Sequence, residues 1–132
     1  MNKSDISKRE DIIDLIGLFY TKVKKDEVIG YFFTDVIPFN WETHIPIMIS
    51  FWDTVLLGAK TYQGNPMIKH LNINKIEALK QEHFTRWRLL WDETIKEHFE
   101  GPVANEAMRR AAIMEELMLY KIDQSNSSYF IQ

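Results

Sequence analysis

The sequence predicts an all-α fold of five or six helices. Apolar residues recur at steps of three and four along most of the 132-residue chain, which is the period of an amphipathic helix. The chain has only five glycines and four prolines, and no segment has the alternating pattern of a strand. A chain of this length is expected to fold as one domain around a single core.

The first helix is predicted from a capping box, formed by Ser7 and Glu10, to about Lys25. Asp26 is placed to cap a second, short helix, and Pro38 marks the turn that follows it. The apolar face of the first helix is predicted to consist of Ile12, Ile13, Ile16, Phe19, Tyr20 and Val23.

A third helix is predicted from Thr43, with Gly58 placed to terminate it. Pro66 then predicts the start of a very short helix that ends near His70. One face of the third helix is predicted to carry His44, Met48, Phe51, Trp52 and Val55.

Asn74 and Glu77 predict the capped start of a long helix that ends before Gly101. The last helix is predicted from Pro102 to Lys121. Its buried face is predicted to comprise Val103, Ala107, Ala111, Met114, Leu117, Met118 and Tyr120. We therefore assign residues 1–122 to one domain and residues 123–132, rich in Ser and Asn, to a flexible tail.

Composition excludes several classes of function. A net charge of −3 gives no basic field, so neither nucleic acid nor an anionic membrane surface is an expected partner. The absence of cysteine excludes disulfides, thiolate catalysis and thiolate-linked metal centres. The charged first residues lack the apolar segment of a signal peptide, and no apolar run approaches the ~20 residues of a membrane span. A cytoplasmic location is expected.

Two common metal sites are also absent from the sequence. No histidine follows a glutamate by three residues, as in carboxylate di-iron bundles, and there is no His-Glu-x-x-His zinc signature. The pair Glu115 and Glu116 lies in charged sequence and is expected to face solvent. A haem site requires fewer protein ligands, because it needs one neutral imidazole together with apolar and aromatic walls.

Two histidines suit such a site. His70 follows a proline-started helical turn and could bind iron, or could be a half-exposed histidine at a helix end, which spacing alone favours. His44 shares a helix face with Met48 and Trp52 and could gate a pocket, or could simply be a half-exposed residue near a helix start.

Three other side chains have two interpretations each. The hydroxyl of Tyr20, in an apolar stripe, could contact an internal carbonyl or a ligand in a cavity. Trp87 offers only an indole N–H and could equally be an ordinary core residue. Lys69 could neutralise an acidic group of a cofactor or be a solvated surface lysine.

The order of these residues resembles that of the group III truncated haemoglobins. The resemblance extends from about Ile13 to Leu119 and rests on the joint order and spacing of short pieces. These pieces are Phe19-Tyr20, Gly30-Tyr31-Phe32-Phe33, His44-Ile45-Pro46, Phe51-Trp52, Leu56-Leu57-Gly58, the segment 62–67, His70, His83-Phe84 and Arg86-Trp87. The chain departs from the family pattern between Leu71 and Leu79, where an expected proline is missing.

The resemblance implies a two-over-two helical sandwich around non-covalent haem b. It implies His70 as the iron ligand, and Tyr20 and Trp87 as hydrogen-bond donors to a diatomic gas bound at a pentacoordinate iron. His44 would be the distal histidine near the haem edge. The other residues that it places against the cofactor are Phe33, Met48, Trp52 and Lys69.

The resemblance leaves three classes of function open. The first is a protein that binds dioxygen, nitric oxide or carbon monoxide for transport or sensing. The second is a haem enzyme, a nitric oxide dioxygenase or a peroxidase, which would need an external reductase because the chain has no flavin or nicotinamide domain. The third is a haem-free helical interaction module, which the resemblance disfavours.

Overall fold

The computed structural model describes residues 3–31, 41–59 and 80–126. These ranges form four helices: α1 (Arg9–Lys25), α2 (Trp41–Leu57), α3 (Gln81–His98) and α4 (Pro102–Asn126). No residue in them belongs to a strand, so the predicted all-α class is confirmed. Of the helices in these ranges, none is both long and apolar enough to cross a membrane.

The first helix begins one residue later than its predicted cap. Lys8 is the N-cap, and Oδ2 of Asp11 accepts the backbone N–H groups of Ser7 (2.9 Å) and Lys8 (3.2 Å). These hydrogen bonds, above all that from Ser7, lower the pKa of the Asp11 carboxyl. The predicted pairing of Ser7 with Glu10 is therefore wrong, although the helix ends at Lys25 as expected.

The turn after α1 is held by Asp26, as predicted. Its Oδ2 accepts the backbone N–H groups of Val28 (3.0 Å) and Ile29 (3.1 Å). These bonds satisfy donors that would otherwise be orphaned at the start of a helical turn. The rest of the predicted short helix, including the turn at Pro38, lies outside the described residues.

The second helix begins at Trp41, two residues before the predicted start. Pro46 therefore lies inside the helix, where it has no N–H to donate to a preceding carbonyl. The helix ends before Gly58, whose φ of 77° is the left-handed conformation that glycine adopts without strain. The predicted terminator is confirmed, and the short helix predicted before His70 lies outside the described residues.

The third helix starts later than its apolar stripe suggested. Lys80 is extended and acts as the N-cap of α3, so a helix running without a break from Asn74 is wrong. His83 fixes this start, since its Nδ1 accepts the backbone N–H of Lys80 at 2.9 Å. The ring nitrogen Nδ1 of His83 is thus a hydrogen-bond acceptor at a helix start.

The fourth helix is capped by the N-terminal segment. Asp5 accepts the backbone N–H groups of Val103 (2.9 Å) and Ala104 (2.8 Å), which places a carboxylate at the positive end of α4. A β-carbon on Gly101, where φ is 148°, would collide with this carboxylate. Ile6, next in the chain, is buried in the core.

The exposed side of α4 departs from the prediction. The helix extends five residues past Lys121, and Leu117 and Tyr120 of the expected buried face are 48% and 60% exposed. Ile13 of α1 is likewise 44% exposed. Each of these apolar residues lies next to the face of its helix that is buried. Sequence periodicity cannot distinguish a buried position from an apolar position at the edge of that face.

The helices form two pairs that pack on each other. Helix α1 packs against α2 and α3, α3 packs against α4, and α2 reaches α4. An ion pair from Arg9 Nη1 to Asp53 Oδ2 (2.7 Å) ties the start of α1 to α2. The largest fully buried side chains are Trp91, Phe19, Ile6, Ile12, Leu15, Ile16, Ile95, Met118, Val23 and Thr94.

Candidate functional site

Tyr20 lies in the core with its hydroxyl removed from solvent. The residue is 6% exposed, and its ring meets that of Phe19 edge to face at a centroid distance of 4.9 Å. Burial raises the pKa of the Tyr20 hydroxyl well above its ordinary value of 10.0. Tyr20 is therefore a neutral phenol at any physiological pH.

His44 of α2 faces Tyr20 across the α1–α2 interface. Its Nε2 lies 3.1 Å from the Tyr20 hydroxyl, and the two rings meet edge to face at a centroid distance of 5.2 Å. Two residues 24 positions apart are thus joined by a hydrogen bond between elements. This brings together two of the residues that the sequence analysis named for a ligand pocket.

Trp87 of α3 approaches the same region through Phe19. The rings of Phe19 and Trp87 are nearly perpendicular, with centroids 6.3 Å apart. Trp87 is partly buried and packs against the main core. Phe19 therefore contacts the rings of both Tyr20 and Trp87, and all three residues belong to one apolar cluster.

Met48 and Trp52 follow His44 on α2. Met48 is partly buried against the core, and Trp52 is 3% exposed and stacked on Trp91 at 4.5 Å with an interplanar angle of 25°. The indole N–H of Trp91 donates to the carbonyl of Ala107 at 3.1 Å. The Trp52 ring is thus held in place by the α2–α3–α4 core.

The remaining predicted site residues, Phe33, Lys69 and His70, lie outside the described residues. Within 3–31, 41–59 and 80–126, no group of three or more histidine, aspartate or glutamate side chains could hold a metal ion.

Two partly buried ion pairs that flank Trp87 were missed by sequence reasoning. Arg86 Nε contacts Asp26 Oδ1 at 2.7 Å, and Arg88 Nε contacts Glu115 Oε1 at 2.6 Å. The Glu115 side chain is only 12% exposed, so the expectation that it faces solvent is wrong. The only sequence signal for these ion pairs was the tripeptide Arg-Trp-Arg, which does not indicate the distant carboxylates that the two arginines contact.

Comparison with known proteins identifies the family. The chain is 31% identical over 125 residues to group 3 truncated hemoglobin ctb of Campylobacter jejuni, covering 90% of this chain and 96% of that protein. The chain belongs to the group 3 truncated haemoglobins. No family model matches the sequence.

A solved structure agrees with this assignment. The crystal structure of the group III truncated hemoglobin from Campylobacter jejuni matches with a TM-score of 0.81 and 27% identity, covering 97% of this chain and 98% of that one. The two helix pairs described above are thus those of a globin-like fold, and the predicted fold class and family are confirmed. The truncated haemoglobins are globin-type gas-binding proteins.

The described residues are of the kinds that could line one side of a haem. A haem wall needs aromatic surface with a small number of oriented polar groups. Phe19, Trp87 and Trp52 supply the aromatic surface, and the neutral phenol of Tyr20 beside the His44 imidazole supplies the polar groups. The Tyr20 phenol at this wall is neutral, which suits an uncharged diatomic ligand.

Proposed function

We propose that the chain binds haem b non-covalently and holds a diatomic gas, with dioxygen the first candidate, against Tyr20 and Trp87. The observation that carries this proposal is the buried hydroxyl of Tyr20, 3.1 Å from His44 Nε2 within an aromatic cluster. Burying a hydroxyl costs free energy unless it is hydrogen-bonded, and His44 supplies that bond. A few oriented polar groups among apolar and aromatic side chains are typical of a small-molecule pocket.

Haem supplies an iron centre with an open position at which a diatomic gas binds reversibly. His70 is proposed as the iron ligand, with Phe33 packing on the ring and Lys69 near its acidic groups. The protein's contribution is then to exclude water and to place hydrogen-bond donors beside the gas. The buried α1–α2–α3 wall supplies both.

The position of one proton on His44 determines whether the Tyr20 hydroxyl can donate to a ligand. A phenol carries one proton, so it can make one strong hydrogen bond as a donor. If His44 carries its proton on Nε2, the imidazole donates to the Tyr20 oxygen, and the Tyr20 proton is directed elsewhere. If the proton is on Nδ1, Tyr20 donates to His44 instead. The proposal therefore requires the Nε2–H tautomer of His44.

Trp87 is suited to be the second donor. An indole N–H can only donate, so it cannot compete with the gas as an acceptor. Its ring contacts Phe19, the neighbour of Tyr20, which keeps the two donors on one side of the pocket. Each net hydrogen bond contributes about 0.5–1.5 kcal/mol, so two donors would slow gas release by roughly one to two orders of magnitude.

Absorption spectra test the proposal directly. Purified protein supplied with haem is expected to show a strong Soret band that shifts on reduction and again on exposure to carbon monoxide. His70→Ala is expected to lose haem or to bind it with an altered spectrum. His98→Ala, at the exposed end of α3, is the matched control and should keep the normal spectrum. Failure of the native chain to take up haem would contradict the proposal, and a normal spectrum in His70→Ala would refute the ligand assignment.

A further inference from the structure

Trp87 lies between two arginines that are fixed to different parts of the fold. Arg86 Nε contacts Asp26 Oδ1 at 2.7 Å, at the end of α1. Arg88 Nε contacts Glu115 Oε1 of α4 at 2.6 Å, and its Nη1 contacts Asp92 Oδ2 at 3.0 Å. The three consecutive residues 86–88 therefore connect α3 to both of its neighbours.

The carboxylate that receives Arg86 is rigidly held. The Asp26 side chain is 4% exposed, and its second oxygen accepts the backbone N–H groups of Val28 and Ile29. Its position is thus set by the turn that follows α1, six residues after Tyr20. A guanidinium bound to this carboxylate ties α3 to the helix that carries Tyr20.

The Arg86 side chain is 42% exposed, whereas both side chains of the second pair are more removed from solvent. The side chains of Arg88 and Glu115 are 28% and 12% exposed. The hydrogen bond that Arg88 donates to Glu115 is the largest cause of the raised pKa of Arg88, which keeps this guanidinium charged. Solvent screens such a pair less than it screens an ion pair on the open surface.

The arginines are placed to resist rotation of α3 in both directions. Successive helix residues are about 100° apart, so Arg86 and Arg88 project to opposite sides of Trp87. Side chains extend about 5–6 Å from the helix axis, so a rotation of about 10° moves an indole by roughly 1 Å. A shift of that size takes a good hydrogen bond beyond 3.5 Å.

We propose that Arg86 and Arg88 are positioning residues that hold the Trp87 indole N–H within hydrogen-bonding distance of the bound gas. The inference rests on the proposed function, since it concerns the same pocket. It goes beyond that function because neither arginine need touch the gas or the haem. Replacing either arginine should therefore change the rate of gas release only by displacing Trp87.

The core of the test is a double-mutant cycle on the haem-loaded, dioxygen-bound protein. Arg86→Gln and Arg88→Gln are each combined with Trp87→Phe, and gas dissociation is measured for every combination. Each arginine variant should speed dissociation about threefold to tenfold when Trp87 is present. It should have no further effect when Trp87 is already replaced, because the two changes act on one interaction.

Glu97→Gln is the matched control. Glu97 of α3 accepts Lys22 Nζ at 2.6 Å, so this pair also ties α1 to α3, but ten residues beyond Trp87. Glu97→Gln should leave gas dissociation unchanged. Arg86→Lys keeps the charge and should restore most of the native rate. If Arg86→Gln does not fold, Arg88→Gln carries the comparison.

A structural readout separates positioning from general stability. The indole N–H resonance of Trp87, assigned by its loss in Trp87→Phe, should move in Arg86→Gln and Arg88→Gln and stay in place in Glu97→Gln. An unmoved resonance, or equal effects of the arginine variants with and without Trp87, would overturn the inference. If Trp87→Phe alone leaves dissociation unchanged, the donor role of Trp87 in the proposed function fails. The resonance shift still reports on the arginines in that case.

Discussion

At the scale of single residues, the tautomer of His44 determines the sign of one measurable effect. If His44 donates from Nε2 to the Tyr20 oxygen, His44→Leu removes a bond that polarises the phenol. Dioxygen dissociation should then become roughly twofold to fivefold faster. Stopped-flow measurement on the haem-loaded variant checks this. A slower dissociation would show that Tyr20 donates to His44 in the native protein.

Tyr20 also makes stability depend on alkaline pH. Because burial raises its pKa above the ordinary 10.0, the folded state holds the phenolic proton more tightly than the unfolded state does. This contribution is fully present below the unfolded-state pKa and is lost as the pH rises above it, by about 1.4 kcal/mol per pH unit. Urea unfolding at a series of alkaline pH values should show this decline in the native chain and a shallower one in Tyr20→Phe. Identical slopes would contradict the burial of a neutral hydroxyl.

Sequence reasoning predicted the burial of single residues correctly where the helical period alone determines it. The helical period placed Tyr20, His44 and Trp87 on stripes that the fold does bury, fully or in part. It could not pair Tyr20 with His44, because that contact depends on how α1 and α2 pack. It misjudged Glu115 for the same reason, since its partner Arg88 is on another helix.

At the scale of elements, the four helices were predictable and their ends less so. Ser7, Glu10 and Asp11 offer competing capping patterns within five residues, and only the backbone conformation at Lys8 selects Asp11. The late start of α3 likewise depends on the extended conformation of Lys80. Capping choices of this kind differ by about 1 kcal/mol, which packing elsewhere easily overrides.

The N-terminal segment supplies the cap of α4, so replacing the capping residue tests how much this contact between distant parts of the chain stabilises the fold. Asp5→Ala removes both bonds to the first turn of α4. It should reduce the free energy of unfolding by about 1–2 kcal/mol, as loss of an N-cap does. Glu10→Ala, at an exposed carboxylate of α1, is the control and should change it by less than about 0.5 kcal/mol. Equal effects in urea unfolding would refute the capping role.

At the scale of the whole molecule, the fold class followed from periodicity because the helices within residues 3–31, 41–59 and 80–126 each bury an apolar stripe. The arrangement of the helices into two pairs did not, since it depends on which stripes meet. The stack of Trp52 on Trp91 and the bond from Trp91 to Ala107 connect α2, α3 and α4 at the centre of the protein. The family resemblance supplied this arrangement, and the comparison with a solved structure confirmed it.

The central claim, that Tyr20 holds a diatomic gas in a haem pocket, is tested most directly by dioxygen dissociation from the haem-loaded Tyr20→Phe variant. This change removes one hydroxyl and preserves the ring that packs on Phe19. Haem content should be unchanged, and dissociation should be faster by about twofold to tenfold, because a net hydrogen bond contributes about 0.5–1.5 kcal/mol. A dissociation rate equal to that of the native protein would contradict the claim.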